Sequence, residues 1–148
     1  MIPPKTILVP TDFSEPARVA LDYAVQLADK LGASVHLVHA FELPIVGFPD
    51  GVMTISAEMA SRIIDAAEKA LADLVEPYKT RKIELHTSLE QADPRDGVLA
   101  VAERLRADLI VMGTHGRRGI ARALMGSVAE SVVRTSSIPV LTLRTSDS

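Results

Sequence analysis

Short, wholly apolar runs alternate with longer stretches of helical period along the chain, and no other feature restricts the fold as much. Thr6-Ile7-Leu8-Val9 reads as a buried strand stopped by Pro10-Thr11-Asp12. From Ser14 the period changes, and Ala17, Leu21, Ala24, Leu27, Ala28 and Leu31 fall on one helical face. Ser14 suits the cap of that helix, Pro16 its first turn and Gly32 the position just past its end. Ser34 to Ala40 reads as a second strand. Phe41 to Thr54, with Pro44, Gly47, Pro49 and Gly51, reads as a loop of about 14 residues, long enough to suggest a lid. A second helix is predicted over Ser56 to Tyr78, burying Met59, Ile63, Ala67, Ala70 and Leu74. Lys82 to Thr87 is a weaker third strand. Asp93-Pro94 opens a third helix with Val98, Val101, Ala102 and Leu105 inward. Leu109-Ile110-Val111-Met112 is the most apolar run, too short for a helix, and so a central strand. A glycine-rich loop, a helix over Ser127 to Thr135 and a last strand, Pro139 to Leu143, complete the order.

This order, β-α-β-α-β-α-β-α-β, predicts an α/β fold: one domain, residues 1–148, built on a five-stranded parallel sheet with helices on both faces and right-handed crossovers. A chain of 148 residues is long enough for one core without disulfide or metal staples. Ligands of such sheets bind beyond the carboxyl ends of the strands, where strand order reverses. The loops after Val9, His39 and Met112 are therefore the places to look.

Four of the eight glycines lie between Gly113 and Gly126. Glycine lets a ligand approach the backbone closely. The helix opening at Ser127 offers free N–H groups and a dipole that favour an anion. Arg117, Arg118 and Arg122 add positive charge nearby. Strand, glycine turn and helix N-terminus together describe a phosphate cradle. It is neither a Walker A loop, because G-x4-G-K-[ST] is missing, nor the dinucleotide fingerprint, because G-x-G-x-x-G is absent.

The spacing that is present, Gly113-x2-Gly116-x9-Gly126-Ser127, resembles the G-x2-G-x9-G-[ST] signature of ATP-binding members of the universal stress protein family. Val9-Pro10-Thr11-Asp12-Phe13-Ser14 is similar to the family's opening, Asp108 to Gly116 and Gly126 to Glu130 to its second half, and Ile138-Pro139-Val140-Leu141 to its last strand. The resemblance implies strand order 3-2-1-4-5 in an adenine-nucleotide-binding, Rossmann-like superfamily, with ATP (or AMP or ADP) and Mg as cofactors. It implies that Pro10, Thr11 and Asp12 line the adenosine side with Ala40 beside adenine, and that Met112 and Gly113 border the ribose. His115, the Gly116-Arg117-Arg118-Gly119 loop, Gly126, Ser127 and Val128 belong to the phosphate end. Two departures stand out. Ala92 takes a position where the family often has glycine, and Ala40 one where it often has valine.

Simpler readings accompany each of these residues. Ser127 with Glu130 also spells a capping box, which needs no ligand. Asp12 can cap or hold the turn, or contact ribose or nucleotide-bound Mg. His115 reads as a loop-shaping hydrogen-bonding residue. His36 and His39, three apart on a strand, point to opposite faces and cannot share a metal; packing with one satisfied nitrogen suits them better. The arginines also fit a solvated face, and Met53 and Met59 a core or lid.

The function expected is a nucleotide-binding stress or signalling module whose occupancy shapes a surface for a protein partner not named by the sequence. The alternative is a slow ATP-hydrolysing enzyme. Phosphoryl transfer needs a metal holder, a positioned nucleophile and a transition-state cation; Asp12 and an arginine could serve, but no base for the water follows from the motif. A phosphoacceptor receiver would want an acidic residue ending the third strand, where His86-Thr87-Ser88 stands. Composition excludes further classes. No cysteine means no disulfide, thiolate nucleophile or iron–sulfur cluster. A net charge of −3 and 3% aromatic residues argue against nucleic-acid binding. No visible signal peptide and no long apolar run make cytoplasm the expectation, with no membrane partner. The last strand, in the implied order, is an edge carrying Val140, Leu141 and Leu143, and a homodimer through Pro139–Leu143 is expected.

Overall fold

A computed structural model of the chain describes residues 2–49, 51–115 and 125–145. The elements run β1 (Thr6–Pro10), α1 (Glu15–Leu31), β2 (Ser34–Phe41), β3 (Ile45–Phe48), β4 (Gly51–Thr54), α2 (Ala57–Val75), β5 (Leu85–Gln91), α3 (Pro94–Leu105), β6 (Leu109–Gly113), α4 (Ser127–Thr135) and β7 (Val140–Leu143). Five strands form the expected parallel sheet in the order β5-β2-β1-β6-β7. That is 3-2-1-4-5 once the β3–β4 hairpin is set aside. No helix among the described residues is long and apolar enough to cross a membrane.

Each face of the sheet carries its own core, because side chains alternate along every strand. Ile7, Val9, Val35 and Leu37 pack with the Ala20, Leu21, Ala24 and Val25 stripe of α1 and with Leu71 of α2. Leu8, Val38, Ile110 and Met112 pack on the other face with Val98 and Val101 of α3 and Ala129 and Val132 of α4. Helix ends follow local chemistry. Ser14 caps α1 by accepting the Ala17 amide, and Gly32 ends it at φ +69°.

Several sequence expectations need correction. The Phe41–Thr54 stretch is not simply a loop, since Ile45–Phe48 and Gly51–Thr54 pair as an antiparallel hairpin; Pro44 and Pro49 flank its strands without interrupting them. The third main strand is not Lys82–Thr87 but Leu85–Gln91. Pairing with β2, from Val35–Leu85 to Phe41–Gln91, sets its span where its own hydrophobicity is weak. Met59, in the first turn of α2, is 53% exposed, and the buried residues of that helix are Ala67 and Leu71. Leu31 is exposed at the end of α1, while Ala20 and Val25 take core positions not assigned to the stripe. The helix expected to reach Tyr78 ends at Val75 and tightens to a 3-10 turn over Glu76–Tyr78.

Polar contacts also tie neighbouring strands of the sheet together. One oxygen of the Asp108 carboxylate accepts the Lys5 and Thr6 amides at 2.9 and 3.0 Å, tying the start of β1 to β6 across the chain. These backbone bonds hold its carboxyl below the usual range. On β2, His36 places Nε2 2.8 Å from the Ser88 hydroxyl of β5, with the His86 ring 6.2 Å away. Burial, then His86, then Arg104 push the His36 imidazole below its ordinary value, and Arg104 is itself paired to Glu90 at 2.9 Å.

A histidine whose pKa is depressed on folding binds its proton more readily when unfolded. Its contribution is therefore complete above about pH 6.5 and is lost as pH falls below that. The urea midpoint should drop between pH 7.5 and 5.5. His36→Gln, whose amide can still reach Ser88, should reduce that slope; an unchanged slope would remove His36 from the acid response.

Candidate functional site

β1 and β6 pair only through Ile7–Leu109 and Leu8–Ile110, whereas β1 stays with β2 as far as Pro10–Val38. Beyond Leu8 and Ile110 the two strands part, at the point where the strand order reverses. A cavity of about 320 Å³ opens there, within the size range of small-molecule sites. Pro10, Thr11 and Asp12 leave β1 along one wall and Ala40 ends β2 beside them. Met112, Gly113, Thr114 and His115 leave β6, and Gly126, Ser127, Val128 and Ala129 begin α4. Ala17 of α1 and Pro94 and Val98 of α3 complete an apolar lining.

The turn after β1 is heavily hydrogen-bonded. The Thr11 amide donates to the Val38 carbonyl at 2.8 Å, and the Thr11 hydroxyl accepts the Phe13 amide at 3.1 Å. Asp12 Oδ1 accepts the Ser14 amide at 3.0 Å, so holding the turn is at least part of its role. Phe13 sits at φ +65°, a conformation costly for a residue with a side chain. From β2, His39 Nδ1 lies 2.8 Å from the Thr11 carbonyl.

The opposite wall is closed by backbone. The Thr114 amide donates to the Leu143 carbonyl of β7 at 3.0 Å, and the Gly126 amide donates to the Thr114 carbonyl at 2.6 Å. The Gly126 N–H is thus committed within the protein. Gly126 is also the N-cap of α4, and among the described residues no side chain caps that helix. The capping-box reading of Ser127 and Glu130 therefore fails: Ser127 stands one residue too late to cap, and Glu130 pairs with Arg134 instead. The amides of Ser127, Val128 and Ala129 have no carbonyl within the helix to bond. His115 Nδ1 lies 3.0 Å from the Thr114 hydroxyl, and its Nε2 is buried without a partner among the described residues.

Ten residues assigned to the site from sequence line this cavity: Pro10, Thr11, Asp12, Ala40, Met112, Gly113, His115, Gly126, Ser127 and Val128. Gly116, Arg117, Arg118 and Gly119, with Arg122, lie outside the described residues. Ala17, Pro94, Val98, Thr114 and Ala129 were not foreseen. Helical period marked Ala17 and Val98 as inward-facing without saying that their contacts end at a cavity. Gly97 carried another signal, since a mid-helix glycine costs about 1 kcal/mol and suggests close approach. A Cβ there would lie 3.1 Å from that of Ala40 and 3.2 Å from that of Ala92, so α3 rests directly on the end of β2. Among the described residues no group of three histidines or carboxylates could hold a metal.

Fold and cleft define an open parallel α/β domain with a cavity at the switch point of its strand order. The universal stress protein family pattern matches residues 3–144, and the chain belongs to that family. A universal stress protein of Methanocaldococcus jannaschii is 32% identical over 142 residues, covering 95% of this chain and 82% of the relative. Among solved structures, the universal stress protein from Archaeoglobus fulgidus in complex with dAMP is similar with a TM-score of 0.66, 26% identity and coverage of 96% of this chain and 98% of that one. A universal stress protein in complex with cAMP gives 0.61, 28%, 97% and 98%.

The first glycine of the signature has a steric cause independent of any ligand. A Cβ on Gly113 would lie 2.9 Å from the Pro16 Cβ and 3.0 Å from the Pro16 carbonyl oxygen, in the first turn of α1. Gly113→Ala should therefore destabilise the ligand-free protein by about 1–3 kcal/mol in urea unfolding. Stability equal to wild type would leave that glycine to the ligand alone.

Proposed function

We propose that this chain is an adenine-nucleotide-binding module of the stress-response or signalling type, with ATP as its ligand. The observation that carries the reading is the cleft between the parted ends of β1 and β6, apolar in its depth and closed on one side by the first-turn amides of α4. The adenine ring suits the apolar part, between Ala40, Pro94 and Val98, while Pro10 to Asp12 and Met112-Gly113 flank the ribose. Phosphates suit the Ser127 and Val128 amides, with the Gly116–Gly119 segment and its arginines completing the cradle. The solved relatives with dAMP and cAMP support an adenine nucleotide. Because no described cluster holds a metal on its own, Mg would arrive with the nucleotide and meet Asp12. Occupancy would then set the ends of the 116–124 segment, through which a protein partner could sense the ligand.

Magnitudes favour shared contributions. Micromolar affinity corresponds to about −8 kcal/mol, whereas charge at a helix terminus supplies about 0.3–1 kcal/mol. Hydrogen bonds and burial of the base must supply most of the rest. Calorimetry should show micromolar ATP binding to the wild type, and absence of binding would overturn the reading. Ser127→Ala should weaken binding about two- to tenfold. Because Ser127 does not cap α4, its urea midpoint should stay at the wild-type value.

The second part of the reading is a homodimer through β7. The Pro139 carbonyl accepts the Ile110 amide of β6 and the Leu143 carbonyl the Thr114 amide just beyond it, so by alternation the backbone groups of Val140 and Thr142 face the open edge. All four strand residues are half-buried and none is charged, leaving an edge with little to discourage pairing. A two-fold pairing of β7 would satisfy both edges at once. Light scattering at micromolar concentration should give twice the 15.9 kDa chain mass. Thr142→Pro deletes an outward amide without touching the β6 ladder and should yield monomers; a monomeric wild type would dispose of the dimer.

A further inference from the structure

Outside the cleft wall, one histidine has a geometry that packing alone does not account for. His39 is on β2, between Val38, whose carbonyl receives the Thr11 amide, and Ala40, which lines the cavity. Alternation puts its side chain on the opposite face of the sheet from the cavity, on the side of Leu37 and Phe13. Nδ1 lies 2.8 Å from the Thr11 carbonyl oxygen. A carbonyl can only accept, so Nδ1 carries the proton and donates.

The Thr11 amide belongs to the peptide plane before that residue and its carbonyl to the plane after it. Val38 fixes the first plane and His39 the second, so β2 sets both backbone angles of Thr11. The direction in which Asp12 enters the cleft follows from them. The donor is itself held. Its ring packs against Phe13 at 4.5 Å and 48°, and lies parallel to Phe41 at 5.8 Å and 7°. Phe13 is the residue at φ +65°, and such a conformation persists only where its surroundings over-determine it.

We infer that His39 is a positioning residue for the nucleotide cleft: it touches no ligand, but its Nδ1–H holds the Thr11–Asp12 turn in the shape the ligand meets. This rests on the proposal that the cleft binds an adenine nucleotide. Two variants separate the hydrogen bond from the packing. His39→Phe keeps an aromatic ring between Phe13 and Phe41 and deletes the donor. His39→Asn puts an amide nitrogen near the place of Nδ1 and deletes the ring.

The test measures AMP binding by calorimetry and urea midpoints for wild type and both variants, with imidazole ¹⁵N spectra of the nucleotide-free wild type. The spectra should show the neutral ring of His39 protonated at Nδ1. His39→Phe should bind AMP about tenfold more weakly. His39→Asn should bind close to wild type while unfolding at lower urea than His39→Phe. Affinity and stability thus change rank between the two variants, which a packing role would not produce. A proton on Nε2, wild-type affinity in His39→Phe, or affinities that simply follow the urea midpoints would overturn the inference. If the wild type took up no adenine nucleotide, the functional reading would fall by itself. The tautomer, with faster amide exchange at residues 12–14 in His39→Phe, would still decide whether His39 holds the turn.

Discussion

The parting of β1 from β6 is the constraint on which the rest of the site depends. Parallel strands all leave the sheet at the same end, so every connection to a helix starts there. In the order β5-β2-β1-β6-β7 the chain moves outward from β1 through β2 to β5 and then returns to the other side of β1. The connection after β1 runs into α1 and that after β6 leads on to α4, which cover opposite faces of the sheet, and the cavity opens between the two departing turns. Pairing between those strands ends after Leu8–Ile110. Around the gap stand the two departing turns, together with Ala17 of α1, Ala40 of β2 and Pro94 and Val98 of α3.

Those turns are held from the outside. Val38 and His39 of β2 grip the Thr11 backbone, while Leu143 of β7 grips Thr114, which in turn receives the Gly126 amide. Each wall of the cleft is thus fastened to the next strand outward, at distances between 2.6 and 3.0 Å. Asp12, Ser14 and the hydroxyl of Thr11 complete the first wall locally. Most polar groups at the cleft are therefore spent on its shape. Among the described residues the amides of the first turn of α4 are the clearest exception, and they are of the kind that suits an anion.

The strands and helices of the parallel sheet were legible because each had a period and a stop signal. Ser14, Gly32 and the Asp93-Pro94 pair mark helix ends in the chain as they do in the structure. Where pairing with a neighbour decided the outcome, the sequence was silent. β5 takes its span from β2, and the β3–β4 hairpin forms between residues that read as loop. At the site, the strand ends pointed to three loops, and the family resemblance carried by the glycine spacing implied the ten residues that line the cavity. Pro94, Thr114 and Ala129 escaped because nothing local to them foretells the parting of two distant strands. Ser127 was misread as a possible cap since S-x-x-E is a local pattern, and only the path of the chain shows Gly126 in that place.

The glycines and alanines around the cleft then acquire a different meaning from that of a flexible phosphate loop. Gly113 is small because Pro16 lies against it, and Gly97 because Ala40 and Ala92 do. Gly126 gives its amide to Thr114 and starts α4 without a side chain. These positions let α1, α3 and α4 approach the carboxyl ends of β1, β2 and β6 closely enough to wall a cavity of about 320 Å³. Larger residues would not merely block a ligand; they would separate the elements that make the cavity. Much of the wall is backbone fixed by hydrogen bonds to neighbouring strands, whose position depends on packing more than on side-chain identity. The cleft of this chain therefore depends on small residues standing where helices meet strand ends, at Gly97, Gly113 and Gly126.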